Sequence, residues 1–143
     1  MRFSRSTTYG LRALGNLLLA GADNSSRVKS LKIIAEEENI SLKFLEKLFS
    51  QLKKAGIVNS VRGVNGGYYL EEGAEKISLL KVLEALGENM AVFGCVAGVN
   101  GKVKCSHSRN CGAIPVLQKV QGAINQALGE MALRDLIESP ECL

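Results

Sequence analysis

The sequence predicts a mainly α fold with a small β-hairpin wing, in which a winged helix-turn-helix domain precedes a long C-terminal helix. Three observations carry this prediction. Two short amphipathic segments are separated by a tight turn. A glycine-rich hairpin signal follows them directly. Near the C-terminus, apolar residues recur at helical spacing over several turns.

Composition and charge favour a nucleic-acid-binding protein. The chain has 143 residues, and 46% of them are hydrophobic, which is enough for one core. Residues 1–70 carry 11 Lys and Arg against 5 Asp and Glu, whereas residues 71–143 carry 7 against 9. A basic half beside a near-neutral half is typical of DNA-binding proteins. Because no catalytic motif is present, we expect that the chain is not an enzyme.

The N-terminal segment resembles a signal peptide only superficially. Arg12 and Gly15 interrupt its apolar run, and Leu11, Leu14 and Leu18 mark one face of a helix instead. No apolar stretch approaches the ~18 residues of a membrane span. We therefore expect a cytoplasmic protein without membrane contact. Cytoplasmic thiols stay reduced, so clustered cysteines indicate metal or redox chemistry.

Three helices are predicted in the winged domain, residues 1–76. The first runs from about Thr7 to Gly21. Ser30 can cap the second, Leu31–Glu38, and Ser41 can cap the third, Leu42–Ala55. The pair of short helices predicts a helix-turn-helix, and its cation-rich third helix is the one expected to enter a major groove. A helix pair and hairpin of unspecified purpose is the alternative.

The predicted wing is a hairpin. Strand-like residues 57–62 and 68–70 flank the glycine-rich tip 63–67, with Arg62 at its base. Lysines suit guanine or phosphate, Glu46 can accept a hydrogen bond from cytosine N4, and Arg62 suits phosphate or a minor groove. The candidate DNA contacts are Arg2, Arg5, Tyr9, Ser41, Lys43, Glu46, Lys47, Arg62 and Gly66.

A cysteine-bearing stretch follows a connecting helix. Residues 77–91 hold that helix, which Ser78 can cap. Residues 92–112, the cysteine loop, contain Cys95, Cys105 and Cys111 at C-x9-C-x5-C spacing, with the only histidine, His107, between the last two. Zinc sites usually pair their ligands at C-x2–4-C and this loop has no such pair, but the loop alone leaves zinc and an iron–sulfur cluster undecided. His107 or Cys142 could supply a fourth ligand, and a solvated histidine or a free terminal thiol is the alternative.

The last predicted helix occupies residues 113–139. Its apolar seam consists of Leu117, Val120, Ile124, Ala127 and Met131. A single helix of ~24 residues would span about 36 Å, which is longer than this domain needs to cover its own core. We therefore predict that it is shared with a second subunit, an ordinary packing helix being the alternative.

These motifs together resemble the IscR/NsrR/CymR family of bacterial winged-helix regulators over almost the whole chain. The most specific parts are the third helix (41–49 and 53–58), the wing (61–68), the opening Met1–Ser4 with Tyr9, and the three-cysteine loop before a long helix. The resemblance implies a homodimer on pseudo-palindromic double-stranded DNA. It also implies an iron–sulfur cluster on the cysteine loop.

The chain departs from the family pattern at the fourth ligand. The IscR-like pattern has about five residues between its first two cysteines and a histidine where this chain has Ile114, and the NsrR-like branch has an acidic residue where this chain has Thr8. The resemblance favours a 2Fe–2S cluster, with 4Fe–4S as the alternative, and control of iron–sulfur cluster biogenesis genes. Alternatives are a nitric-oxide-sensing or redox-sensing repressor of the same family, or a DNA-binding protein with a zinc or thiol-switch loop.

Overall fold

The computed structural model describes residues 2–96, 105 and 110–138. This part of the chain is mainly helical with one antiparallel hairpin, which confirms the predicted fold class. None of its helices is long and apolar enough to cross a membrane. The elements are α1 (Arg5–Leu19), α2 (Leu31–Glu38), α3 (Leu42–Lys54), β1 (Val58–Val61), β2 (Gly67–Leu70), α4 (Leu79–Ala85), α5 (Ile114–Glu130) and α6 (Asp135–Glu138), with a 3-10 turn over Ala74–Lys76.

The first three helices enclose the core. α1 begins earlier than predicted because Ser4 caps it, accepting a hydrogen bond from the Thr7 amide at 3.2 Å. The turn between α2 and α3 closes at Asn39, which adopts a left-handed conformation with φ of 53°. The buried side chains of this core include Leu14, Leu17, Ile34, Leu45, Leu48, Phe49 and Leu52.

The acidic C-terminal end of α2 is stabilised by tertiary contacts. Carboxylates at a helix C-terminus oppose the helix dipole. Here Lys29 Nζ lies 2.6 Å from a Glu37 carboxylate oxygen, and Arg12 Nε lies 3.1 Å from one of Glu38. The Asn16 amide donates to both carboxylates, at 2.8 and 2.9 Å. These bonds offset the unfavourable end charge and fasten α2 to α1.

The hairpin packs as a wing beside α3. Val58 pairs with Leu70 and Val61 with Gly67. Lys29 adds a short bridge on the outer edge of β2, where its amide and carbonyl bond to Tyr68 at 2.9 and 2.8 Å. This bridge, absent from the sequence prediction, ties the loop before α2 to the wing and fixes the wing relative to the helix-turn-helix.

The prediction of a single helix over residues 113–139 is wrong. α5 ends at Glu130, and Met131 is extended. The residues after it bond instead to the start of α4 and to the stretch before it, with the Leu79 amide donating to Met131 O and the Leu133 amide to Ile77 O, both at 2.8 Å. Leu133 is fully buried in the core. Burying this side chain requires the chain to leave the helix, so α5 spans roughly 26 Å rather than 36 Å.

Candidate functional site

The exposed face of α3 carries three of the side chains predicted to read DNA. Lys43, Glu46 and Lys47 are exposed, while Leu45 and Leu48 on the other face are buried in the core. The buried stripe therefore fixes which side of α3 faces outward. That side can neutralise phosphates through its lysines and accept a hydrogen bond from a base through Glu46.

The hydroxyl of Ser41 is left unused at the start of α3. Ser41 is the N-cap residue, and its carbonyl accepts from the Leu45 amide at 3.0 Å, but its side chain makes no capping hydrogen bond. The predicted side-chain cap is therefore wrong. Ser30, in contrast, caps α2 through its Oγ, which accepts from the Lys32 amide at 3.2 Å. The exposed Ser41 hydroxyl can donate to a phosphate at the positive end of the α3 dipole.

α3 and the wing border one open groove. Arg62 and Lys32 are exposed along it, and Glu46 lines it from α3. Lys53 reaches from the end of α3 to donate to Ser60 Oγ on β1 at 2.6 Å. Lys32, which the sequence analysis did not single out, lies in the first turn of α2, where the helix dipole makes a positive charge unfavourable. The groove thus presents cations from three elements.

The wing tip is shaped by its glycines. Val64 is fully exposed there, whereas Gly66 is half-buried. A Cβ on Gly66 would lie 2.2 Å from the carbonyl oxygen of Val61, so only glycine fits this turn. At the base, Tyr68 lines the groove. Burial, and secondarily the Glu46 charge, raise the pKa of its phenol, which keeps it a neutral hydrogen-bond donor.

The N-terminal candidates differ in their surroundings. Arg2 and Arg5 are exposed. Tyr9 is half-buried, packing edge-to-face on Phe44 with ring centroids 5.8 Å apart, and the Arg12 guanidinium lies 5.8 Å from its ring centroid. Tyr9 therefore joins α1 to the first turn of α3, so a phosphate bound by α1 would be fixed relative to α3.

The described cysteines are free thiols. Cys95 and Cys105 are half-buried and Cys111 is exposed, and none is in a disulfide. His107 and Cys142 lie outside the described residues. Thiolates are the ligands that hold iron–sulfur clusters, and these three cysteines supply all but one of the usual four, so the residues fit such a group chemically. Within residues 2–96, 105 and 110–138, no three Cys, His, Asp or Glu side chains are close enough to hold a metal ion.

Two polar residues that the sequence analysis missed lie against the start of the cysteine loop. Glu88 follows α4 and contacts the N-terminus of α1. Gln121 lies on α5 and is buried, with 3% of its surface exposed. Gln121 is the one polar residue among the inward-facing positions 117, 121, 124 and 128 of α5. That position could have predicted a buried, hydrogen-bonded side chain. For Glu88 the sequence offers no such signal, because its partners are distant in the chain.

α5 is apolar on two faces, so the predicted seam divides between them. The inward face consists of Leu117, Gln121, Ile124 and Leu128. The outward face consists of Val116, Val120, Ala123 and Ala127, all exposed. Val116 is 64% and Val120 41% exposed. Among Ile114–Glu130, all of which the structure describes, only Gln121 is classed as buried. The outward face is therefore an apolar surface without a partner in the same described chain.

Comparison with known proteins places this geometry among transcriptional regulators. A family model named Rrf2, described as an iron-dependent transcriptional regulator, matches residues 3–139. The HTH-type transcriptional regulator IscR of Xenorhabdus nematophila is 32% identical over 139 residues, covering 97% of this chain and 82% of that protein. IscR of Escherichia coli O1:K1 is 31% identical over 139 residues, covering 97% and 83%.

Solved structures of two related regulators superpose on the fold. CymR, the global cysteine regulator of B. subtilis, gives a TM-score of 0.71 at 26% identity, covering 96% of this chain and 97% of CymR. IscR of T. potens gives 0.66 at 29% identity, covering 96% and 87%. The proteins named in these matches are regulators rather than enzymes.

Proposed function

Because the chain belongs to the Rrf2 family of transcriptional regulators, we propose that it binds operator DNA as a homodimer and that an iron–sulfur cluster on the cysteine loop modulates this binding. Membership confirms the resemblance to IscR/NsrR/CymR-type regulators. The observation that carries the proposal is the exposed cationic face of α3 beside the wing, in a chain that matches a regulator family over residues 3–139.

Some of the proposed operator contacts recognise bases, and the others position the protein on the phosphate backbone. Lys43, Lys47 and Glu46 enter the major groove on α3, and there they contact base edges and phosphates. Ser41 donates its hydroxyl to a phosphate, and Arg62 of the wing contacts a phosphate or the minor groove. In a second group, Arg2 and Arg5 contact phosphates, Tyr9 supports them from α1, and Gly66 lets the wing backbone approach the DNA closely.

A second copy of the chain covers the outward face of α5. Val116 and Val120 expose 64% and 41% of their surface, and Ala123 and Ala127 leave room for close helix contact. Burying apolar area of this kind contributes about 25 cal/mol per Å². A twofold dimer also places two copies of α3 on successive major grooves, which is the geometry that a pseudo-palindromic operator requires.

Cys95, Cys105 and Cys111 hold the cluster through their thiolates, with His107 as the candidate for a fourth ligand. A 2Fe–2S cluster is the favoured form, with 4Fe–4S and then zinc as the alternatives. When bound, such a cluster supplies a redox-active group that can be lost or change its charge. The free, partly exposed thiols support this assignment because they are accessible for metal binding.

The target genes that we propose are those of iron–sulfur cluster biogenesis. The IscR relatives and the description of the family as iron-dependent support this choice. A nitric-oxide-sensing or redox-sensing repressor of the same family is the alternative, and the two differ in which reagent releases the protein from its operator.

Selection from a random pool of double-stranded DNA tests operator binding. We expect enrichment of a pseudo-palindrome with half-sites about one helical turn apart, ~34 Å. Lys47→Ala should lower the slope of log affinity against log salt by about 2, because one phosphate contact is lost from each subunit of the dimer. Lys81→Ala, an exposed lysine on α4, is the matched control and should leave the slope unchanged. Failure to enrich any sequence contradicts operator recognition.

Metal analysis tests the cluster. Protein purified without oxygen should contain iron and sulfide in similar amounts and absorb visible light, and Cys105→Ala should lose both. Colourless protein that contains zinc contradicts the iron–sulfur assignment and leaves DNA binding standing. Bleaching by nitric oxide without bleaching by oxygen supports the nitric-oxide alternative.

A further inference from the structure

The residues between α4 and Cys95 are anchored to the start of α1. Glu88 Oε2 accepts hydrogen bonds from the Ser4 amide at 3.0 Å, from the Ser4 hydroxyl at 2.8 Å and from the Thr7 hydroxyl. Ser4 is the N-cap of α1, and Thr7 is fully buried. One carboxylate oxygen thus holds both the N-cap residue Ser4 and Thr7 in the first turn of α1. Arg2 and Phe3 line a small cavity together with residues 88–92, so the N-terminal arm also lies against this stretch.

The same stretch is anchored to α5 two residues further on. Gln121 Nε2 donates to the carbonyl of Met90 at 2.7 Å, and Gln121 Oε1 accepts from the Val92 amide at 2.8 Å. Asn125 Oδ1 accepts from the same Nε2 at 3.0 Å, which fixes the orientation of the amide. A buried amide bonded in this way is costly to disturb, because moving the segment leaves its donor and acceptor unpaired.

We propose that residues Glu88–Val92 form a coupling strap, held to α1 by Glu88 and to α5 by Gln121, that passes changes at Cys95 to the DNA-binding half. This inference rests on the proposed function for its physiological meaning. Cys95 comes three residues after Val92. A change in the group that the cysteine thiolates bind therefore displaces a segment that hydrogen bonds fix at both ends. Through Glu88 the displacement reaches the N-terminus of α1, near Arg2 and Arg5. Through Gln121 it reaches α5 and the proposed dimer face.

Hydrogen–deuterium exchange on the full-length metal-free dimer tests the strap. Gln121→Met removes the clamp with little change of volume. We expect exchange of the Ser4 and Thr7 amides to rise at least about fivefold, since Gln121 bonds to the strap and to no residue of α1. Gln118→Met, an exposed glutamine on the same helix, is the matched control and should change these amides less than about twofold.

Coupling between two sites is reciprocal, so loss of the Glu88 contacts should also loosen the contacts of Gln121. Glu88→Gln is therefore the second variant. Glu88→Gln should raise exchange of the Val92 amide, which bonds to Gln121, and Glu84→Gln, at an exposed residue of α4, should not. The strap is contradicted if Gln121→Met folds and the exchange rates of its Ser4 and Thr7 amides are unchanged. If Gln121→Met does not fold, an unchanged exchange rate of the Val92 amide in Glu88→Gln contradicts it. Cooperative thermal unfolding establishes that each variant is folded.

Operator titration then separates this inference from the proposed function. In wild type, affinity should differ between cluster-loaded and metal-free protein, and in Gln121→Met the ratio of the two affinities should fall to within about twofold of one. If Gln121→Met keeps the wild-type ratio of loaded to metal-free affinity, the strap is not the route of coupling. A ratio of one in wild type overturns the sensor function instead, while the exchange measurement decides the strap independently.

Discussion

At the residue scale, two serines at helix starts have different roles. Ser30 Oγ accepts a hydrogen bond from the Lys32 amide, whereas Ser41 makes no side-chain cap and is exposed. Both precede helices of the DNA-binding half and both follow the same preference for serine at this position. The sequence alone could not distinguish them, because the rotamer of one hydroxyl decides which serves stability and which is available to a ligand.

Alanine substitutions at the two serines should therefore have opposite signatures. Ser30→Ala should lower the free energy of unfolding by about 1 kcal/mol, because it removes a cap. Ser41→Ala should lower it by less than about 0.5 kcal/mol but weaken operator binding, because a phosphate donor is lost. Denaturant unfolding and operator titration measure the two effects. A Ser41→Ala protein that is as destabilised as Ser30→Ala, with unchanged affinity, contradicts this distinction.

The Glu88 carboxylate should contribute to the acid dependence of stability. Burial would raise its pKa, but the hydrogen bonds from Thr7 and Ser4 hold the pKa below the ordinary value of 4.5. A depressed pKa means that the charged form stabilises the fold above pH 4.5 and that this contribution is lost as the pH falls through the folded-state pKa. Glu88→Gln should flatten the fall in Tm between about pH 5 and pH 3. Glu84→Gln is the control, and an equal slope in the two variants contradicts the assignment.

At the element scale, amphipathic patterns predicted most of the fold, and tertiary contacts explain the rest. α2 was predicted from Leu31 to Glu38, as observed, because its cap and its apolar stripe agree. α5 was predicted too long, because apolar spacing continues past Glu130 while the need to bury Leu133 breaks the helix. The polar face of α3 was predicted because the apolar residues of this helix mark its buried side and leave the charged residues on the other side. Glu88 could not be found, because its partners lie more than 80 residues away in the chain.

The outward face of α5 makes a prediction about assembly. Val120→Lys should convert the dimer to a monomer, because a lysine replaces an apolar side chain that the partner buries. Gln118→Lys, an exposed polar residue of the same helix, should leave the dimer intact. Light scattering after gel filtration measures the mass. A Val120→Lys protein that stays dimeric places the interface on another surface.

At the scale of the whole molecule, the chain joins a basic DNA-binding half to a half that carries the cysteine loop. Residues 1–70 carry a net charge of +6 and residues 71–143 a net charge of −2. The described contacts between the halves include the hydrogen bonds of Glu88 to Ser4 and Thr7, and the packing of Leu133 in the same core as Leu14 and Leu17 of α1. A regulator needs such links, because effector and operator change each other's affinity only through differential contacts.

The central claim is that the state of the cysteine loop sets operator affinity. Its most direct test is a titration of one selected operator, without oxygen and at fixed salt, with three proteins: cluster-loaded wild type, metal-free wild type and Cys105→Ala. We predict that loaded wild type differs from metal-free wild type by at least about fivefold, a coupling of ~1 kcal/mol, and that Cys105→Ala behaves as the metal-free protein. Equal affinities of all three proteins on every selected operator contradict the claim.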